Sequence, residues 1–388
     1  MTYVYLLISS GVVAFVLGLL QFYMLEELVG KAGAGTRDAI IQNISALVTL
    51  GTVVIYCISG PLASSLRKRY VMCAAATGAG AVFGVGGALG WWPSAWIYLG
   101  VLGLLLGVYN AAKMASVPLV AEEVGRATTV VNGGMSVVFL LGLLPGFALG
   151  TRLYEWQPGC GHWVVSGLFM LAGVTALGCV CRNERQRDLW AEQRRIMKET
   201  IGLLGRHWRW LVGGPLVWGI ASAGQLATVA LVVRRGLASK EVAALIPVFG
   251  AAGAVAGTAI SPFFVRRRYE AAVVAIMAMA CVLPVVPWLA VGFGVLAGCV
   301  VVMGVLFGMA TNLVDSALLE RVRGEGKEGT GAALQSAMLA LMMVGASGSV
   351  GVSIAREWIG ADKQFGILGM FGVVGAVIVG SLAWRRAG

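Results

Sequence analysis

The chain has 388 residues, 59% of them hydrophobic and only 12% charged, with mean hydropathy +0.86 and a formal net charge of +11. An aqueous domain runs to about 25% charged residues, so a soluble fold of this length is excluded and a multi-pass membrane protein is expected. The 56 glycines are scattered through apolar runs, which excludes collagen-like and low-complexity chains and suits close helix–helix approach in lipid.

Apolar runs of about 20 residues, the length that crosses a bilayer, predict six spans over 3–24, 39–62, 70–90, 96–120, 129–151 and 162–181. Six more follow over 210–233, 242–264, 270–291, 293–319, 330–354 and 364–384, with the ninth and tenth joined by a very short turn. The first run is too long for a removed signal peptide and lacks a small-residue cleavage site, so it is expected to stay. Residues 182–209 form the one sizeable polar segment. There Leu189, Met197, Ile201, Leu204 and Trp208 fall at roughly helical spacing among Arg185, Arg187, Arg194, Arg195 and Lys198. A basic amphipathic helix on the inner leaflet and a solvated linker are both consistent with that pattern. The expected domains are therefore residues 1–181, a basic linker over 182–209, and residues 210–388.

Lys and Arg fix the orientation. Twenty of the 29 fall in the loops after the even-numbered spans or at the C-terminus, and eight in the opposite loops. Both termini are then cytoplasmic, and the positive charge is topological bias, with no basic segment that would bind nucleic acid. The seven cysteines show no metal or redox spacing, so no metal or cofactor is expected. Chemistry on lipids needs a His–carboxylate pair, paired carboxylates or a metal set. The chain has two histidines, His162 read as interfacial and His207 within the linker, neither beside an acid motif. An enzyme is not expected, and no filter-like segment points to a channel.

Charges inside the spans are where function is sought, because a charge at membrane depth costs a few kcal/mol unless it is paired or used. Lys113 lies in the fourth span and Asp315 in the tenth. The halves echo each other around them. Arg67-Lys68-Arg69-Tyr70 follows the second span and Arg266-Arg267-Arg268-Tyr269 the eighth, 199 residues apart. The fourth span carries Gly107, Asn110 and Lys113 and ends at Glu122-Glu123, and the tenth carries Gly308, Asn312 and Asp315 and ends at Glu320-Arg321. Gln21 of the first span answers Gln225 of the seventh, and Asn132 of the fifth answers Gln335 of the eleventh. The pattern predicts an all-α membrane protein of twelve transmembrane helices in two pseudo-symmetric six-helix bundles.

Six plus six spans, a basic turn after spans two and eight, and a charged central linker resemble the major facilitator superfamily. Gly60 and the cluster Arg67-Lys68-Arg69 match that family's loop pattern between spans two and three, with Ser64 where the family has Asp. The resemblance implies alternating access around a cavity lined by spans 1, 4, 7 and 10. A narrower resemblance lies in Ala112-Lys113-Met114-Ala115-Ser116-Val117-Pro118 followed by Asn132-Gly133, and in Ala317-Leu318-Leu319-Glu320 followed by Ala333-Leu334-Gln335. These are similar to bacterial lysophospholipid transporters, although the first span here holds only Leu20-Gln21-Phe22 where those carry a polar cluster.

On this resemblance the expected function is secondary transport of a lysophospholipid or similar amphiphile across a bacterial inner membrane by a monomer. Lys113 would supply a point charge for phosphate, and Asn110, Gln21 and Gln225 hydrogen-bond partners. Gating or coupling would fall to Asp315, Asn312, Glu122, Glu320, Arg67, Arg69, Arg266 and Arg268. Three readings of Lys113 stand side by side: it meets substrate, it pairs with Asp315 across the pseudo-twofold as an inner gate, or it simply snorkels to the interface. The alternative function is a proton-coupled transporter or exporter of a small organic or drug-like molecule, with Asp315 as the coupling carboxylate and protons as a partner beside membrane lipids.

Overall fold

A computed structural model describes residues 1–32, 65–89, 95–156, 160–181, 245–324 and 361–384, with scattered positions over 55–63 and 191–242. Every regular element among them is helical. In chain order they are α1 (Thr2–Ala32), α2 (Lys68–Leu89), α3 (Ala95–Val124), α4 (Thr128–Trp156), α5 (Gly161–Leu177), α6 (Ile246–Ile260), a 3₁₀ turn (Ser261–Arg267), α7 (Arg268–Val285), α8 (Phe293–Gly324) and α9 (Ala361–Trp384). They coincide with predicted spans 1, 3, 4, 5, 6, 8, 9, 10 and 12. Spans 2 and 7 are represented by scattered helical positions, and span 11, with most of the linker, lies outside the described residues. The predicted eighth span ends early because the backbone tightens into the 3₁₀ turn at Ser261, with Pro262 at its start. The turn between the ninth and tenth spans occupies residues 286–292, where Pro287 cannot continue the helix.

The chain divides into two compact units, the first holding α1–α5 and the second α6, α7, most of α8, and α9. In the first unit α1 packs on α4 and α5, and α2 packs on α3 and α5. Leu6, Val13, Val16, Met72, Leu99, Leu102 and Phe169 form its core. In the second unit α7 packs on α9, repeating the α2–α5 pair.

Lipid tails give helices no hydrophobic reason to associate, so packing must come from close backbone approach. Glycines provide it. A Cβ on Gly142 or Gly146 of α4 would strike the backbone of Gly11 or Phe15 of α1. In the second unit, Gly253 and Gly257 of α6 face the carbonyls of Val301 and Val305, while Gly304 and Gly308 of α8 face those of Gly250 and Ala254. That is a mutual pair of Gly-x-x-x-Gly steps. These contacts also give direction. Residue numbers rise together along α1–α4 and α6–α8, so those helices are parallel. They run oppositely along α2–α5 (Thr77 with Gly173, Gly87 with His162) and α7–α9 (Ala280 with Gly372, Val273 with Gly380), which are antiparallel. Both follow from the predicted alternation of spans. Outward positions such as Ile97, Val174, Val274 and Val377 are exposed and apolar, as lipid contact requires.

Candidate functional site

Several hydroxyls satisfy themselves locally. Thr77, Ser116, Thr175, Thr228, Thr311 and Ser381 donate to carbonyls three or four residues back on their own helix. Such bonds hide a polar group and do little else. Candidate function is therefore sought among polar groups that reach another helix or find no partner.

Lys113 is one of these. It sits at the middle of α3, half-buried, with Nζ 5.1 Å from the ring centroid of Phe139 on α4. A cation at that range is attracted to the ring's negative face, by more when water is excluded. Its ammonium is thus turned toward a neighbouring helix of its own unit. Asn110, one turn earlier on α3, is also half-buried. Gln21 belongs to α1, but its side chain lies outside the described ones. Gln225 is half-buried, and its amide fills the space left by the missing side chain of Gly250 on α6.

On α8, Asn312 is buried, and its Nδ2 donates to Ser261 Oγ at 2.6 Å. Ser261 Oγ in turn donates to the Thr258 carbonyl at 2.7 Å. Asn312 thus ties α8 to the point where α6 becomes 3₁₀. Asp315 follows one turn later, and its Oδ1 is buried with no hydrogen-bond partner.

The predicted gate residues are placed as follows. Arg67 and Arg266 are exposed, and Arg69 and Arg268 are half-buried. Arg69 stacks on Tyr70 at 4.6 Å and Arg268 on Tyr269 at 5.4 Å, the same step in each half. Glu122 is exposed at the end of α3. Its neighbour Glu123 accepts from Thr2 Oγ1 at 3.2 Å, and Thr2 also lies 2.9 Å from the Val180 carbonyl. The ends of α1, α3 and α5 are thereby drawn together. Glu320 belongs to α8, with its side chain outside the described ones.

Sequence reasoning missed a buried polar knot. Ser9 of α1 donates to the Ala172 carbonyl of α5 at 3.0 Å and lies 2.7 Å from the hydroxyl of Tyr109 on α3. A carbonyl only accepts, so Ser9 spends its proton there and Tyr109 donates to Ser9. The adjacent pair Ser9-Ser10 inside an apolar run was the available clue. His162, read as interfacial, is buried near the start of α5, with Tyr23 edge-on at 5.3 Å and Phe83 at 5.1 Å. No group of three or more His, Cys, Asp or Glu able to hold a metal ion occurs among the described residues.

The family model described as Major Facilitator Superfamily matches residues 4–351. No curated protein matches the sequence. Among solved structures the chain is similar to the human organic anion transporter MFSD10, at 14% identity, 97% coverage of both chains and TM-score 0.69. It is similar to the E. coli fucose:proton symporter FucP at 13% identity, covering 97% of this chain and 96% of that one, TM-score 0.68. A bacterial homologue of the iron transporter ferroportin, in an outward-facing state with soaked iron, matches at 15% identity, 99% coverage of both chains and TM-score 0.69. At such identities the likeness carries the fold and leaves the cargo open.

Proposed function

The chain belongs to the major facilitator superfamily, and from that premise we propose that its cargo is a lysophospholipid or similar single-chain amphiphile. Membership makes it a multi-pass secondary transporter rather than an enzyme, with twelve transmembrane helices in two halves. Our reading places it as a monomer in a bacterial inner membrane with both termini cytoplasmic, moving its cargo by alternating access.

The observation that supports the cargo is Lys113. Its ammonium is held over the Phe139 ring, beside a largely apolar core. An amphiphile with one acyl chain needs a positive point charge for its phosphate beside a wall for its tail. Asn110, Gln21 and Gln225 add hydrogen-bond partners, while Asn312, Glu122, Glu320, Arg67, Arg69, Arg266 and Arg268 serve the gates. A second reading rests on Asp315. A buried carboxylate oxygen without a donor is a group that takes up a proton during a cycle, which favours a proton-coupled carrier of a small organic molecule.

The test is movement of labelled lysophosphatidylethanolamine into vesicles reconstituted with the full chain. Lys113→Ala is expected to lower the rate at least about tenfold, and Lys113→Arg to retain part of it. Native rates equal to those of empty vesicles would remove the lysolipid reading. Dependence on a pH gradient that disappears in Asp315→Asn would support proton coupling.

A further inference from the structure

The two basic turns share a sequence pattern and differ in structure. At the first, Leu66 and Arg67 lie outside helix, and α2 starts at Lys68, which is 8% exposed. Arg69 donates to the Tyr70 hydroxyl at 3.0 Å while stacked on its ring. Arg67 is exposed. At the second turn the backbone forms the 3₁₀ helix Ser261–Arg267. Three residues make one turn there, so residues three apart eclipse. Phe263 therefore lies over Arg266, and Phe264 over Arg267. Phe263 is 86% exposed, Phe264 is 41% exposed, and both arginines are exposed.

We propose that this 3₁₀ turn is a binding surface for an anionic phospholipid of the leaflet it faces. The two Phe–Arg columns each place an apolar ring one turn before a cation, the order needed to seat an acyl chain and grip a phosphate. Arginine suits phosphate because its planar donors meet two oxygens at once. Among the described residues Arg267 pairs with Glu270, whose carboxylate stands 4.0 Å away with both side chains largely solvent-exposed. An exposed pair of that kind is weak, and within the segment 266–270 three arginines stand against one carboxylate. Arg268 is engaged with the Tyr269 ring and backs the site rather than facing it. The site shares Arg266 with the gates proposed above, but it needs neither Lys113 nor a cargo.

The test uses full-length protein in nanodiscs, where both leaflets have one composition, so orientation does not enter. Retained lipid is counted by native mass spectrometry after release from phosphatidylcholine discs containing phosphatidylglycerol. The native chain is expected to retain phosphatidylglycerol over phosphatidylcholine. Arg266→Gln/Arg267→Gln is expected to lose that preference about thirtyfold, since each basic residue at a membrane surface is worth roughly fivefold. Phe263→Ser is expected to weaken retention of both lipids, and Arg67→Gln to cost no more than the roughly fivefold of one surface charge. Arg266→Lys/Arg267→Lys keeps the charge and is expected to keep most of the preference, which separates lost binding from lost folding. Equal preference in the native chain and the Gln/Gln variant, or loss in Arg67→Gln as large as in that variant, would overturn the proposal.

Discussion

Tyr109 is 1% exposed, and its hydroxyl gives its proton to Ser9. Removing the acceptor is worse than removing the donor. In Ser9→Ala the buried Tyr109 hydroxyl loses this acceptor, whereas in Tyr109→Phe the Ser9 proton still reaches the Ala172 carbonyl. An orphaned buried hydroxyl costs on the order of 1 kcal/mol or more, less in membrane proteins where the unfolded reference also finds partners. Ser9→Ala is therefore expected to lower the melting temperature in detergent more than Tyr109→Phe. The reverse order would show that the bond directions are wrong. Single residues were unevenly legible from sequence. Lys113 and Asp315 stood out because charge is rare in an apolar run. Phe139, against which Lys113 rests, looks like any lipid-facing ring until the helices are packed. Ser261 gave no warning either, since its partner Asn312 lies on another span far along the chain.

At the scale of helices, glycine content predicted close packing, but only the structure says which glycines carry it. Gly257 faces the Val305 carbonyl directly, while a Cβ on Gly298 of α8 would meet nothing within 4 Å. Gly257→Ala must push α6 from α8, a strain of about 1–3 kcal/mol. Gly298→Ala gains helix propensity, up to about 1 kcal/mol, at no steric penalty. Thermal unfolding and folded yield should fall for the first and hold or rise for the second. Equal loss in both would mean the seam is looser than described. Span positions were readable because bilayer thickness sets their length. The 3₁₀ turn was not, because its basic residues read equally well as an ordinary loop.

For the molecule as a whole, the repeat and the alternation of spans were the most legible features. Helix directions in both units follow them, and Arg235 donates to the Pro287 carbonyl at 2.8 Å, joining two loops predicted on one side. Which side faces the cytoplasm rests on the Lys and Arg count. Exposed Cys160 lies at the end of its unit opposite Thr2 and Glu123. In a variant keeping only that cysteine, a membrane-impermeant maleimide is expected to label intact spheroplasts from outside. Labelling only after lysis would invert the topology.

The α6–α8 seam also bears on motion. Two helices touching backbone to backbone have no intervening layer of rotamers that could slide or re-sort, and Asn312 bolts the far end of the contact. Whatever swing the transport cycle demands, this pair travels as one plank, and bending must be taken up elsewhere in its unit.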